Sequence, residues 1–207
     1  MKAHSAESQS TVTPEKALLF LVEGNHRFVN NLKTNRDLLQ QVNDTRDGQW
    51  PFAIVLSCID SRTSAELIFD QGLGDIFSVR IAGNILNDDI LGSMEFATKV
   101  VGSKIIVVLG HSKCGAVKGA CDNIKMGNLT TLLNKIQPAV YEEKSVTDDR
   151  TSKNSEFVEK VASLNVKLTI DRIRNESPII KAMEDEGTIK IVGGIYDVDS
   201  GKVEFFT

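Results

Sequence analysis

Apolar residues along this chain follow two rhythms. Short unbroken runs lie at Phe52-Ala53-Ile54-Val55-Leu56, at Ile76-Phe77-Ser78-Val79-Arg80-Ile81, from Lys104 to Leu109 and from Thr188 to Val192. Runs of that length and β-branched content predict strands covered on both faces, as in a parallel sheet. Between them, apolar positions recur every three or four residues, the period of a helix that buries one face. This period predicts helices from Thr13-Pro14 onward, over Asp88 to Val101, from near Ala116, through Leu129, Leu132, Leu133, Ile136 and Val140 with a bend at Pro138, and from Phe157 to Glu186 with a break near Ser177-Pro178. Thr13 suits the N-cap and Pro14 the first helical turn. Thr63 to Asp70 reads as a helical turn and Gly72-Leu73-Gly74-Asp75 as a tight turn. Asp199-Ser200-Gly201-Lys202 is a turn signal, so Val203 to Phe206 should fold back as an antiparallel edge strand.

Strands that alternate with helices predict an α/β fold. The expected architecture is a mainly parallel central sheet of four strands plus the antiparallel C-terminal edge strand, flanked by helices. Residues 1–35 form an N-terminal tail and helical arm, and residues 36–207 a single α/β domain. Within these, residues 1–12 read as a mobile tail and 33–49 and 145–155 as polar connections. The helix after Pro14 carries Ala17, Leu18, Phe20, Leu21, Val22, Phe28, Val29 and Leu32 around most of its circumference. An arm that packs on its own domain and on a partner subunit would use both sides.

Composition narrows the class. The chain has 207 residues, of which 41% are hydrophobic and 25% charged, with a net charge of -4. That is enough chain for one self-sufficient core. With no cationic block, nothing favours nucleic acid or an anionic membrane surface. No apolar run approaches the roughly 20 residues of a membrane span. The polar start, Met1 to Thr13, lacks the apolar core of a signal peptide, so the expected location is cytoplasmic, or periplasmic if a signal has been removed. Cys58, Cys114 and Cys121 make an odd number, which favours reduced thiols over a disulfide scaffold.

The chemistry gathers at strand ends. Cys58, Asp60 and Arg62 follow the first strand at alternate positions. If that strand carries on through them, period-two geometry puts all three on one side. His111 and Cys114 lie just past the third strand. In a parallel sheet, ligands bind outside the carboxyl ends of the strands. Neighbouring first and third strands would therefore bring two thiols and an imidazole to one edge. Cys, Cys and His suit Zn²⁺, and three protein ligands leave a fourth position free, as in catalytic rather than structural sites. Each residue alone has a plainer reading. Cys58 could be a small core residue, Asp60 and Arg62 a structural ion pair, and His111 a hydrogen-bonded loop residue. Their joint spacing favours the metal.

Cys58-x-Asp60-Ser61-Arg62 with His111-x-x-Cys114-Gly115 resembles the zinc signature of the β-class carbonic anhydrases. Arg80 with Ala82-Gly83-Asn84, Gly193-Gly194-Ile195-Tyr196-Asp197 with Gly201-Lys202-Val203, and Glu15-Lys16-Ala17-Leu18 through Gly24-Asn25-His26-Arg27-Phe28 extend the likeness over roughly residues 14–206. The resemblance implies one Zn²⁺ per chain on Cys58, His111 and Cys114, and a catalytic dyad of Asp60 and Arg62. It implies reversible hydration of CO₂ to bicarbonate and a proton by a hydroxide generated at the metal. It also implies a substrate pocket drawing on Gln49, Phe77, Ala82, Phe96 and Gly115, and a homodimer or higher even oligomer with its pockets at the subunit interface. Gln49, nine positions before Cys58, matches a glutamine of the plant-type branch, whereas Phe96 stands where that branch has a tyrosine. The other branch has an inhibitory bicarbonate site whose tryptophan is here Val55, although Arg80 and Tyr196 match its other members. That site is expected to be absent or weak.

Two thiolates cancel the formal charge of Zn²⁺, so a water on it should be less acidic than one held by three neutral imidazoles, and activity should rise into alkaline pH. Two other functions fit the same residues: hydrolysis of carbonyl sulfide or carbon disulfide, and a non-catalytic structural zinc module with Asp60 as fourth ligand. Cys121 reads as an ordinary buried thiol. Gly110-His111-Ser112-Lys113-Cys114 lacks the last glycine of a hydrolase elbow, and Gly72-x-Gly74 is too short for a dinucleotide fingerprint.

Overall fold

The computed structural model describes residues 3–206. Five strands form one sheet: β1 (Ala53–Ser57), β2 (Ile76–Arg80), β3 (Ile105–His111), β4 (Lys190–Tyr196) and β5 (Val203–Phe206). Their order is β2-β1-β3-β4-β5, parallel except for the last pair. Alternation along the strands divides the core in two. Ile54, Leu56, Ile106, Val108 and Ile191 face one way, into α5 (Asp88–Glu95), α9 (Ser155–Glu176) and α10 (Pro178–Asp185). Ala53, Val55, Ile105, Val107, Leu109 and Val192 face the other way, against α2 (Pro14–Val29) and α4 (Ala65–Ile68). Both faces being covered is what makes the strands read as unbroken apolar runs. A third cluster, from α6 (Gly115–Cys121), α7 (Gly127–Asn134), α8 (Gln137–Glu142) and α9, closes over the carboxyl end of the sheet around Cys58 and Cys114.

The chain departs from the expected outline in four places. The tail contains a helical turn, α1 (Ala6–Ser10), closed by a Ser5–Ser8 capping box; Gln9 is buried and donates to the Pro51 carbonyl at 2.8 Å. Met1 and Lys2, the remainder of that tail, lie outside the described residues. The polar connection contains α3 (Leu38–Thr45), N-capped by Asp37, with Leu38, Leu39 and Val42 exposed. The helix from Asp88 loosens after Glu95 into a π-turn over Phe96–Val100, which carries Phe96 out to the surface. Finally, β3 and β4 run on to pair His111 with Tyr196, beyond the ends that the apolar runs suggest.

The apolar residues of α2 divide between two sides. Ala17 and Leu21 are buried in the second core, whereas Leu19 and Val22 face outward. Among the described residues, no helix is long and apolar enough to cross a membrane.

Candidate metal centre

The sheet order sets the site. β1 lies between β2 and β3, so successive crossovers leave it in opposite directions, and a crevice opens outside the carboxyl ends of β1 and β3. Cys58 directly follows β1, His111 ends β3, and Cys114 caps the start of α6. Their ligand atoms lie within 4.8 Å of one another, and the three residues are 4%, 1% and 1% exposed.

Each donor is fixed by a neighbour. His111 Nδ1 lies 2.9 Å from the Ser112 carbonyl, so that nitrogen carries the proton and Nε2 keeps its lone pair. Nε2 itself is buried without a hydrogen-bond partner. A buried imidazole nitrogen left bare in this way is costly unless something coordinates it. The Gly83 N–H donates to Cys58 Sγ at 3.3 Å. Gly83 holds this position at φ +68°, and a Cβ there would fall 2.6 Å from Ile136 Cδ1, so glycine is required for the approach. Asn165 on α9 secures the same turn by donating to the Gly83 carbonyl at 2.9 Å. A hydrogen bond joins the two thiols: it draws Cys58 down against the opposing effect of burial, while the same bond, with burial, pushes Cys114 up. A divalent cation between them would displace the proton of that bond. Two thiolates and a bare imidazole in a buried triangle fit Zn²⁺.

Asp60 and Arg62 reach this triangle by a route other than strand alternation. β1 ends at Ser57, and residues 58–63 form a turn in which the Thr63 N–H donates to the Asp60 carbonyl. Arg62 Nε and Nη2 donate to Asp60 Oδ1 and Oδ2 at 2.9 and 2.8 Å, a two-pronged pair, and the Arg62 N–H adds a third bond at 3.0 Å. Arg62 holds the Asp60 carboxyl well below the usual carboxylate range, although partial burial opposes this. Asp60 Oδ2 lies 4.0 Å from His111 Nε2, beside the ligand triangle. Arg80 spans the same turn, with Nε on the Cys58 carbonyl at 3.1 Å and Nη2 on the Asp60 carbonyl at 2.6 Å. The other two positions of the inhibitory site expected to be absent or weak are both buried, Val55 fully in the core and Tyr196 at 6% exposure.

The remaining pocket residues separate into two groups. Ala82 begins the turn that holds Gly83, and the exposed Gly115 follows Cys114, so both flank the triangle. Gln49, Phe77 and Phe96 do not approach it within one chain. Gln49 precedes β1 and is exposed in a depression with Val42, Thr45, Arg46 and Gly74. Phe77 pairs with Ile54 near the start of β1 and meets Phe96 edge to face, with ring centroids 6.4 Å apart, in an open groove of 710 Å³. The Ile54–Phe77 pair lies four residues before Cys58 along β1, roughly 13 Å at 3.3 Å per residue. Sequence reasoning missed Arg80's hold on the dyad turn, Asn165, and the Ser112 carbonyl that orients His111. Of these, Arg80 alone carried a signal, as a cation ending a strand.

A family model described as carbonic anhydrase matches residues 53–203. The chain is 36% identical over 197 residues to carbonic anhydrase 2 of Mycobacterium tuberculosis, an alignment that covers 91% of each chain. It is 33% identical to the carbonic anhydrase of Mycolicibacterium smegmatis, covering 92% of each. Among solved structures, the β-carbonic anhydrase CafA of Aspergillus fumigatus superposes with a TM-score of 0.70 at 30% identity, covering 80% of this chain and 79% of that one. One of two tetrameric β-carbonic anhydrases of Sordaria macrospora also gives 0.70, at 27% identity, with coverage of 78% and 83%.

Proposed function

This chain belongs to the β-class carbonic anhydrase family, and we propose that the triangle of Cys58, His111 and Cys114 holds one Zn²⁺ per chain and is where CO₂ is reversibly hydrated to bicarbonate and a proton. The observation that carries the placement is the bare, buried Nε2 of His111, facing two thiols and lying 4.0 Å from Asp60. When bound, zinc would supply a Lewis acid that lowers the pKa of a bound water and so makes it a stronger nucleophile.

The chain's own residues do the rest. Asp60, kept ionised by Arg62, accepts a hydrogen bond from the attacking oxygen and so directs its free lone pair toward CO₂. Arg62 holds both carboxylate oxygens of Asp60, and Arg80 holds the backbone on either side of Ile59; together they resist a swing of Asp60 onto the metal. Formation of one C–O bond converts CO₂ and water to bicarbonate, and the released proton must leave the site. Among the described residues, no second histidine stands at the triangle. His4 packs on Phe20 and Phe52 at the start of β1, so water or buffer carries the proton.

Gln49, Phe77 and Phe96 fit the reaction when a second copy presents them, which makes a homodimer the smallest complete unit. The exposure of Gln49 and Phe96, the half-buried Phe77 beside Phe96 and the tetrameric Sordaria macrospora relative support that reading. The test is stopped-flow CO₂ hydration with zinc content measured on the same sample. One zinc per chain with rapid turnover, and turnover of carbonyl sulfide and carbon disulfide far below that of CO₂, is the expected result. A zinc-replete protein with no hydration rate would reduce the site to a structural module.

A further inference from the structure

Lys113 lies between two of the ligands and has an unusual backbone, with φ +58°. Glycine or asparagine is the unstrained choice in that region, so a lysine there calls for a use of its side chain. Its ammonium meets both carboxylate oxygens of Asp199 at 2.6 and 2.5 Å. Its N–H donates to Glu159 Oε1 on α9 at 2.8 Å. Asp199 is itself held in place: Asp197 Oδ1 accepts from the N–H groups of Asp199 and Ser200 at 2.7 and 2.8 Å. The neighbouring Ser112 is fastened to the same hairpin, its N–H to the Tyr196 carbonyl at 2.9 Å and its hydroxyl oxygen accepting from the Val198 N–H at 2.9 Å. The segment that carries His111 and Cys114 is therefore docked along residues 196–199.

We propose that Asp199, through its ion pair with Lys113, is a positioning residue that clamps the His111–Cys114 segment onto the β4–β5 hairpin and slows loss of the metal. The inference rests on the zinc reading of the triangle. Both partners are half exposed or more, so the pair adds little to the stability of the whole fold. Its effect falls on the relative placement of two ligands. Groups that orient metal ligands typically change metal affinity by about 10- to 100-fold, and a hydrated pair belongs below that range.

The test uses the zinc-loaded full chain and follows the rate of zinc transfer to a chromogenic chelator. Asp199→Asn and Lys113→Gln should each speed zinc loss about three- to tenfold. The double variant should be no faster than the faster single one, because both remove the same pair. Lys113→Arg should stay within about twofold of the parent, since it keeps the charge. Raising salt from about 0.05 to 0.5 M should speed loss from the parent and leave both single variants nearly unchanged. A purely structural role would move the melting temperature instead and give no salt-dependent difference in zinc loss. Parent-like zinc loss in both single variants, with one zinc per chain, overturns the clamp alone. A parent that takes up no zinc overturns the site reading and the clamp together.

Discussion

The two ends of the central sheet are built to different standards of completeness. At the carboxyl end, Cys58, His111 and Cys114 are almost fully buried, and hydrogen bonds from Gly83, Asn165, Arg80 and Arg62 fix the loops around them within one chain. At the amino end, Leu38, Leu39, Val42, Leu73 and Phe96 stand exposed, and Gln49, Phe77 and Phe96 line open surfaces. A side chain such as Phe96, half exposed and meeting one aromatic neighbour edge to face, gains little from burial until another surface covers it. The difference is between a triangle of donors that one chain assembles by itself and surfaces that one chain leaves open. Substitutions at the two ends should therefore fail in different ways, the first set independently of protein concentration and the second with it.

The largest effect belongs to Cys58→Ser. Removing one of two thiolates from a three-ligand site should abolish zinc retention and lower the hydration rate by at least about three orders of magnitude, with zinc measured on the same sample. Asp60→Asn should keep the zinc and still lose about 10²- to 10³-fold in kcat, since the amide cannot accept the hydrogen bond in the same way or pair with Arg62. An Asp60→Asn protein as fast as the parent would detach the dyad from the chemistry. At the other end, Gln49→Ala should lower kcat/KM by about tenfold, near the cost of one hydrogen bond to a charged group, with zinc content unchanged. Phe96→Arg should shift sedimentation toward the single chain and make specific activity fall on dilution. If Phe96→Arg stays assembled and equally active at every concentration, the amino end is not the missing part of the pocket.

The two ends also differed in how well they could be read. The convergence of Cys58, His111 and Cys114 was legible because such donors have few alternatives and strand ends bring them together. What misled was the backbone between them. Period-two spacing of Cys58, Asp60 and Arg62 suggested a continued strand, but β1 stops at Ser57 and a turn built on Asp60 delivers the same convergence. The apolar run predicted for the fourth strand ends at Val192, yet β4 continues through Gly193 and Gly194 to Tyr196. A Cβ at Gly193 would fall 2.5 Å from the Phe206 ring and 2.8 Å from Val166, so these glycines answer to tertiary packing rather than to a turn. At the amino end, α3 was hidden because its leucines are exposed and carry no core-facing period; Asp37 as N-cap was its one signal.

The smallest effect tests how the amino end is tied to the fold. Asp70, at the end of α4, is buried and receives Arg27 Nε from α2 at 2.5 Å, Arg36 Nη1 at 2.6 Å and the Thr34 hydroxyl at 2.9 Å. Burial pushes its carboxyl up, but the bonds from Arg27, Arg36 and Thr34 outweigh burial and hold it at about 2. Because the folded value lies below the ordinary 3.8, the unfolded chain binds the proton more readily. The stabilisation is thus fully present above pH 4 to 5 and is lost as pH falls toward 2, amounting to about 2 kcal/mol. Asp70→Asn should be less stable than the parent by about that much in urea unfolding at pH 7, and the gap should close as pH falls toward 2. A gap that stayed constant from pH 7 to 3 would show that Asp70 acts through packing rather than through its charge. The tie between the arm and the domain would then be steric, and insensitive to acid.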